Sequence, residues 1–192
     1  MAVGILIVTH GEIGEQIVQT TCETLGNCPL PIQALSILND NDDLDTTRKL
    51  AHQYFETLEQ GDGVLILTDL YGSTPSNIAS ELLAGHHALM ISGLNLPMLI
   101  RIMNYPELSL SELAEKAVSA AQDGTILSDN SNPIQITVQR NDRRINGKSI
   151  MGLMMLAAAK GTSINVSVHG DDEKAAIRAI QQLISNRFDE AE

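Results

Sequence analysis

Three groups of residues in this chain have the types and spacing to hold and pass on a phosphoryl group. His10 stands at the end of an apolar run, Val3 to Val8, in the stretch MAVGILIVTHGE. Asp69 ends a second apolar run, Val64 to Leu67, and the segment Gly72-Ser73-Thr74-Pro75-Ser76 follows it. A histidine is a competent nucleophile at neutral pH when one ring nitrogen is held by a partner and the other keeps its lone pair. A carboxylate at a neighbouring strand end is a suitable partner. A glycine-rich turn opening a helix offers backbone N–H groups and hydroxyls to a phosphate. By residue type alone the plainer readings stay open: a polar loop histidine, and a Gly-Ser-Thr-Pro run that is only a loop and a helix cap.

The elements that must position these groups follow from periodicity. Val3 to Val8 and Val64 to Leu67 are continuous apolar runs, as expected of parallel strands buried on both faces. A second strand is expected within Pro29 to Leu38 and a fourth over His87 to Ile91. Helices are expected over Gly11 to Leu25, capped by Gly26, from the acidic turn Asp42, Asp43 and Asp45 to Leu58, over Ser76 to Leu83, Leu96 to Met103 and Ser109 to Ala121. The alternation predicts an α/β fold with a mainly parallel, doubly wound sheet. In such a sheet, ligands sit outside the carboxyl ends of the strands at a switch point. His10 and Asp69 both fall at such ends.

The texture changes near Gly124. Ser128 to Pro133 (SDNSNP) is polar and turn-forming, and predicts a boundary between residues 1–127 and 134–192 with 128–133 as linker. Beyond it, Ile134 to Val138 and Ile164 to Val168 alternate as half-exposed strands do. Asn141 to Arg144 reads as a tight turn, Ser149 to Ala159 as a helix ended by Gly161, and Asp171 to Asn186 as an amphipathic helix. The tail therefore reads as a small α+β segment with an antiparallel sheet.

Composition narrows the function classes. A net charge of −12 argues against nucleic acid and against a direct seat on anionic membranes. No apolar run approaches a membrane span, and no signal peptide is evident, which places the chain in the cytoplasm. Cys22 and Cys28 show neither CxxC nor metal-ligand spacing and read as ordinary thiols of a reducing compartment. No Walker loop or dinucleotide fingerprint is present, and the chemistry envisaged requires neither metal nor organic cofactor. His52, His86, His87 and His169 read as helix, loop or strand-end residues without a catalytic part.

The motifs VTHG (Val8 to Gly11), TDLYGSTPSN (Thr68 to Asn77) and SGLNLPML (Ser92 to Leu99), in that order, resemble the IIA component of the mannose/fructose/sorbose family of the bacterial sugar phosphotransferase system (PTS). The phosphoryl-donor subunit of dihydroxyacetone kinase is less similar, since it lacks the GSTPSN-like loop. The resemblance implies that His10 takes phosphate from phospho-HPr and passes it to a IIB protein, that Asp69 orients it, and that Gly72, Ser73, Thr74 and Ser76 cradle the phosphate. It further implies a homodimer that meets the membrane only through a IIC/IID complex.

The tail resembles the latter two-thirds of HPr, the phosphocarrier of the same system, through NGKSIMGLMMLAAAKGTSINVSVHGDDEKAA, Asn146 to Ala176. Ser149 falls on HPr's regulatory serine, which implies HPr kinase/phosphorylase as a partner. Nothing matches HPr's active-histidine segment, and His169 does not take its place. Three readings follow: a phosphohistidine carrier in sugar transport, a regulatory PTS protein that signals through His10 and Ser149, and an α/β binding module with an inert His10.

Overall fold

The computed structural model describes residues 2–38, 43–127, 134–149, 152–153, 156, 158 and 161–189. The chain divides into two compact units, Met1–Ile126 and Leu127–Glu192.

The first unit is built on a four-stranded parallel sheet in the order β2-β1-β3-β4. Its strands are β1 (Gly4–His10), β2 (Ile32–Ile37), β3 (Val64–Thr68) and β4 (Ala88–Ser92). The helices are α1 (Ile13–Leu25), α2 (Leu44–Leu58), α3 (Thr74–Glu81), α4 (Leu96–Met103) and α5 (Leu110–Asp123). Alternation along β1 sorts its side chains between two cores. Ile5 and Ile7 meet Leu65, Leu67 and the apolar faces of α1, α4 and α5. Leu6 and Val8 meet Ile66, Ile78 and Phe55, under α2 and α3. Helices thus cover both faces of the sheet, which is why the central strands are apolar at every position rather than at alternate ones.

Three helices start where the sequence offers a cap. Asp43 accepts from the Asp45 N–H at the start of α2. Asn95 accepts from the Met98 N–H at 2.9 Å, with Pro97 in the first turn of α4. Ser109 and Glu112 form a capping box at α5. The helix expected from Ser76 begins two residues earlier, at Thr74, with Ser73 as its cap.

The second unit holds a three-stranded antiparallel sheet in the order β6-β5-β7. Its elements are β5 (Gln135–Arg140), β6 (Arg143–Asn146), β7 (Asn165–His169) and α6 (Glu173–Ser185). The turn expected over Asn141 to Arg144 is tighter: Arg140 pairs with Arg143, so Arg143 and Arg144 belong to the strand. Asn141 takes the positive φ of 52° that a two-residue hairpin demands. The expected linker, 128–133, and most of the helix expected over Ser149 to Ala159 lie outside the described residues.

One expectation is corrected. Cys22 and Cys28 are not free thiols but form a disulfide. The chain leaves α1 through Gly26 in the left-handed conformation, its N–H bonded to the Cys22 carbonyl, and that reversal brings the two Cα atoms to 5.1 Å. Sequence spacing showed no cysteine motif because the reversal, not the spacing, makes the pair.

Candidate functional site

The site lies at the carboxyl ends of β1 and β3, the two central strands. From β1 the chain crosses to β2 on one side, and from β3 to β4 on the other, so the site is at the sheet's switch point. Val8 pairs with Thr68 in the parallel register, which brings Asp69 off β3 beside His10.

Asp69 Oδ2 accepts two hydrogen bonds from His10, one from the backbone N–H at 2.9 Å and one from ring Nδ1 at 2.9 Å. Oδ1 accepts the Leu70 N–H at 2.8 Å. With Nδ1 donating, Nε2 carries the lone pair, and the His10 side chain is 44% exposed against 14% for Asp69. The imidazole is thus nearly half exposed, while its hydrogen-bond partner is partly buried. Burial pushes the Asp69 carboxyl up. The hydrogen bonds from the His10 backbone and ring and from Leu70 outweigh that, and hold it below the usual carboxylate range.

A depressed folded value fixes the sign of a pH effect. The stability due to this carboxylate is fully present above the ordinary carboxylate pKa of ~4, and is lost as pH falls through the depressed value. The difference in unfolding free energy between the wild type and Asp69→Asn, read from urea melts, is expected to shrink as pH falls below about 4.

The turn after Asp69 is shaped for a short approach to a helix end. Gly72 has φ of +79°, where a side chain would be strained. Ser73 Oγ donates to the Leu70 carbonyl at 2.7 Å and so keeps its lone pairs outward as acceptors. In the first turn of α3 the N–H groups of Thr74 and Ser76 have no intrahelical acceptor. The Asn77 N–H is already bonded to the Ser73 carbonyl. Ser76 itself is buried. The structure joins His10 to Asp69 directly, whereas residues 72–76 follow in the chain and make no hydrogen bond to His10 among the described residues. The third motif is tied to the same strand end: Thr68 Oγ1 donates to Ser92 Oγ at 2.8 Å, and the Thr68 carbonyl accepts the N–H groups of Gly93 and Leu94.

Two residues that hold His10 in place escaped the sequence reading. Buried Thr9 accepts the Gly14 N–H on Oγ1 at 2.9 Å, taking the capping role that Glu12 does not fill. A Cβ on Gly14 would stand 2.7 Å from Ile7 Cγ2 and 2.9 Å from Thr9 Oγ1, so α1 can start this close to β1 only with glycine there. The signal available was the spacing of Gly11 and Gly14 around a helix start. Gly14→Ala is expected to destabilise the protein by about 1–3 kcal/mol through overpacking, checked by denaturant melts.

Ser149 lies in the second unit. Its Oγ accepts the Gly152 N–H at 3.1 Å and its carbonyl accepts the Leu153 N–H, the geometry of a helix cap. Among the described residues, no group of three or more His, Cys, Asp or Glu side chains is placed to hold a metal ion, and no helix is long and apolar enough to cross a membrane.

Comparison with known proteins bears on both units. Residues 126–186 match the family described as PTS HPr component phosphorylation site. Within that region the chain is 57% identical over 58 residues to phosphocarrier protein HPr of Neisseria meningitidis serogroup A, and 49% identical over 61 residues to that of Pseudomonas aeruginosa. These stretches are 30% and 31% of this chain, and the chain spans only 65% and 68% of the two relatives' lengths. In fold, the chain is similar to the mannose/sorbose specific IIA subunit of the phosphotransferase system from Enterococcus faecalis. The TM-score is 0.56 at 27% identity, over 67% of this chain and 96% of that one. A PTS component EIIA from Streptococcus agalactiae shares the fold with a TM-score of 0.57 at 22% identity, over 65% of this chain and 96% of that one. The family model for the PTS system fructose IIA component matches residues 4–118, which hold β1 to β4, His10, Asp69 and the Gly72–Ser76 loop, and this chain belongs to that family.

Proposed function

We propose that the protein is a phosphohistidine carrier of the sugar phosphotransferase system, accepting phosphate from phospho-HPr on His10 and passing it to a IIB protein. The observation that supports this reading is the pairing of His10 Nδ1 with a partly buried carboxylate on a side chain that is itself 44% exposed. The Nε2 lone pair attacks the phosphorus of the donor's phosphohistidine in line. The new N–P bond forms as the donor's P–N bond breaks, and the donor nitrogen keeps that electron pair. The His10 ring becomes positive as the bond forms, and the Asp69 carboxylate stabilises that charge, as it does when the ring later leaves. Gly72, Thr74 and Ser76 supply backbone N–H groups to the phosphoryl oxygens, Ser73 shapes the loop through its hydrogen bond to the Leu70 carbonyl rather than donating its hydroxyl to the phosphate, and catalysis is positioning plus electrostatics. No metal or organic cofactor enters the reaction.

The test is incubation of the whole protein with Enzyme I, HPr and labelled phosphoenolpyruvate. Acid-labile, alkali-stable label on His10 supports the reading, and no label overturns it.

The same reading places the protein in the cytoplasm, reaching a IIC/IID membrane complex only through IIB, with residues 1–127 as the IIA domain and 134–192 as a partial HPr-like domain after a linker. It also makes the protein a homodimer. In support, β4 pairs only with β3 among the described residues, and Leu89, Val118 and Ile126 are exposed. An open sheet edge flanked by apolar side chains calls for a cover. Light scattering is expected to give the mass of two 20.7 kDa chains. The mass of one chain at micromolar concentration contradicts it.

The Ser149 cap favours a second reading, a regulatory PTS protein. An Oγ at a helix N-terminus is placed so that an added phosphate meets the helix dipole favourably, which suits HPr kinase/phosphorylase as a partner. A strain lacking the cognate IIB separates the two: an uptake defect supports the transport role, and a regulatory phenotype with normal uptake supports the second.

A further inference from the structure

The second unit buries little of its apolar surface. Among its described residues only Val138 and Leu156 are buried apolar side chains, and no residue of α6 is buried. Leu153, Ile164, Leu183, Ile184 and Phe188 are exposed. Ile136 pairs with Val168 and Val138 with Val166, so these four share one face of the sheet, and Asn165, Ser167 and His169 fall on the other. Among the described residues β7 pairs only with β5, which leaves alternate N–H and C=O groups of its outer edge without a ladder partner. Between β7 and α6 runs a cleft of about 360 Å³, lined by Val166 and Val168 from the strand and by Glu173, Lys174 and Ile177 from the helix.

The two edges of this sheet differ in kind. β6 carries Arg143 and Arg144, and such charges keep an edge from pairing with another chain. β7, Asn165-Val166-Ser167-Val168-His169, holds no Lys, Arg, Asp, Glu or Pro. Its sequence is also self-complementary. In an antiparallel pair of two β7 strands centred on Ser167, Val166 faces the partner's Val168, Asn165 faces the partner's His169, and the two serines face each other. β-Branched pairs then stand on the apolar face, an amide meets an imidazole on the polar one, and no two like residues with a permanent charge are opposed. Charge favours the same partner. Residues 127–192 carry 8 Lys and Arg against 8 Asp and Glu, so two second units meet without net repulsion, whereas residues 1–126 carry 4 against 16.

We propose that the β7 edge is an interface between two copies of this chain. The second units join antiparallel through β7, two three-stranded sheets become one, and the partner's strand closes over the cleft beside α6. An edge of five residues is short, so its strength rests on the homodimer reading above. Once two chains are held together by their first units, each β7 meets the partner's at high local concentration, and the assembly stays closed at two.

Ser167→Cys in the full chain, with Cys22 and Cys28 changed to Ser, sets one thiol opposite the partner's identical thiol, within disulfide reach. Mild oxidation is expected to turn most of it into a covalent dimer on a non-reducing gel. Arg144→Cys, on the opposite edge in the same background, is expected to give about ten-fold less. Cross-linking of Ser167→Cys no greater than that of Arg144→Cys overturns the pairing, and a two-chain mass by light scattering beside that result leaves the homodimer standing. A one-chain mass overturns both. If the background without Cys22 and Cys28 does not fold, hydrogen exchange on the chain with its native cysteines decides. Ser167→Lys places two ammonium groups opposite each other but lies on the polar face of its own sheet, so the unit stays folded. The outer amides of 165–169 are expected to exchange about ten-fold faster in this variant than in the wild type. Unchanged exchange means that something other than a second copy covers the edge, or that nothing does, and removes the proposal.

Discussion

His10→Ala is expected to lose labelling from phosphoenolpyruvate altogether, by at least about 10³-fold in rate, because the nucleophile and the covalent intermediate both disappear. The fold should survive. The hydrogen bond that links the end of β1 to Asp69 comes partly from the His10 backbone N–H, which alanine retains. The side chain removed is nearly half exposed, and changes at such positions usually fall within about 0.5 kcal/mol. A thermal melt close to wild type, together with absent label, assigns the loss to chemistry. Label retained by this variant would remove His10 from the mechanism and direct attention to another side chain. The same experiment locates the phosphate on the ring: with Nδ1 engaged by Asp69, the wild type should carry it on Nε2, which phosphorus NMR of the labelled protein distinguishes from Nδ1.

Asp69→Asn is expected to slow phosphorylation by roughly 10- to 100-fold, the equivalent of losing a charge-assisted hydrogen bond worth about 1.5–3 kcal/mol. The reason is particular to this carboxylate. It accepts from three N–H groups at once, on both oxygens. An asparagine can present its oxygen either to His10 or to Leu70, but the amide nitrogen then opposes a donor at the other place. If the oxygen serves His10, the ring keeps its tautomer but the positive charge gained on attack meets a neutral amide. If the amide nitrogen serves His10, the ring must offer Nδ1 as acceptor and place its proton on Nε2, which removes the attacking lone pair. Both arrangements reduce the rate, and the near-isosteric change leaves the fold in place at neutral pH. Single-turnover transfer from phospho-HPr measures the effect, and a rate equal to wild type would exclude Asp69 from any orienting role.

Much of this architecture is legible in the sequence for a physical reason. Val3 to Val8 and Val64 to Leu67 could only be strands covered on both sides, since their residues are apolar at every position and too few for a buried helix. Asn95 and Pro97 announced α4 because an Asx cap and a first-turn proline act locally. The His10–Asp69 pair followed from two strand ends and the rule for open α/β sheets. What escaped depends on long-range or reversing geometry. The Thr9–Gly14 bond needs β1 and α1 to pack before it has meaning. The Cys22–Cys28 bridge depends on the left-handed Gly26 that folds the chain back. Arg143 and Arg144 look like turn residues by type, yet the pairing register makes them strand. Likewise nothing in the types of Leu70 and Tyr71 says that they face solvent, because apolar residues after a strand are usually core.

The hydrogen bond between His10 and Asp69 bridges 59 residues and exists only when β1 and β3 lie in their parallel register. A chain with either strand unformed, or slipped by one position, presents a free imidazole without its carboxylate. On the carrier reading, reactivity toward phosphoryl donors therefore reports whether the sheet has assembled. During refolding, the recovery of labelling should trail helix formation and coincide with the slow, non-local step of sheet assembly. Nascent or damaged copies of the protein would then drop out of the phosphate relay without any separate surveillance.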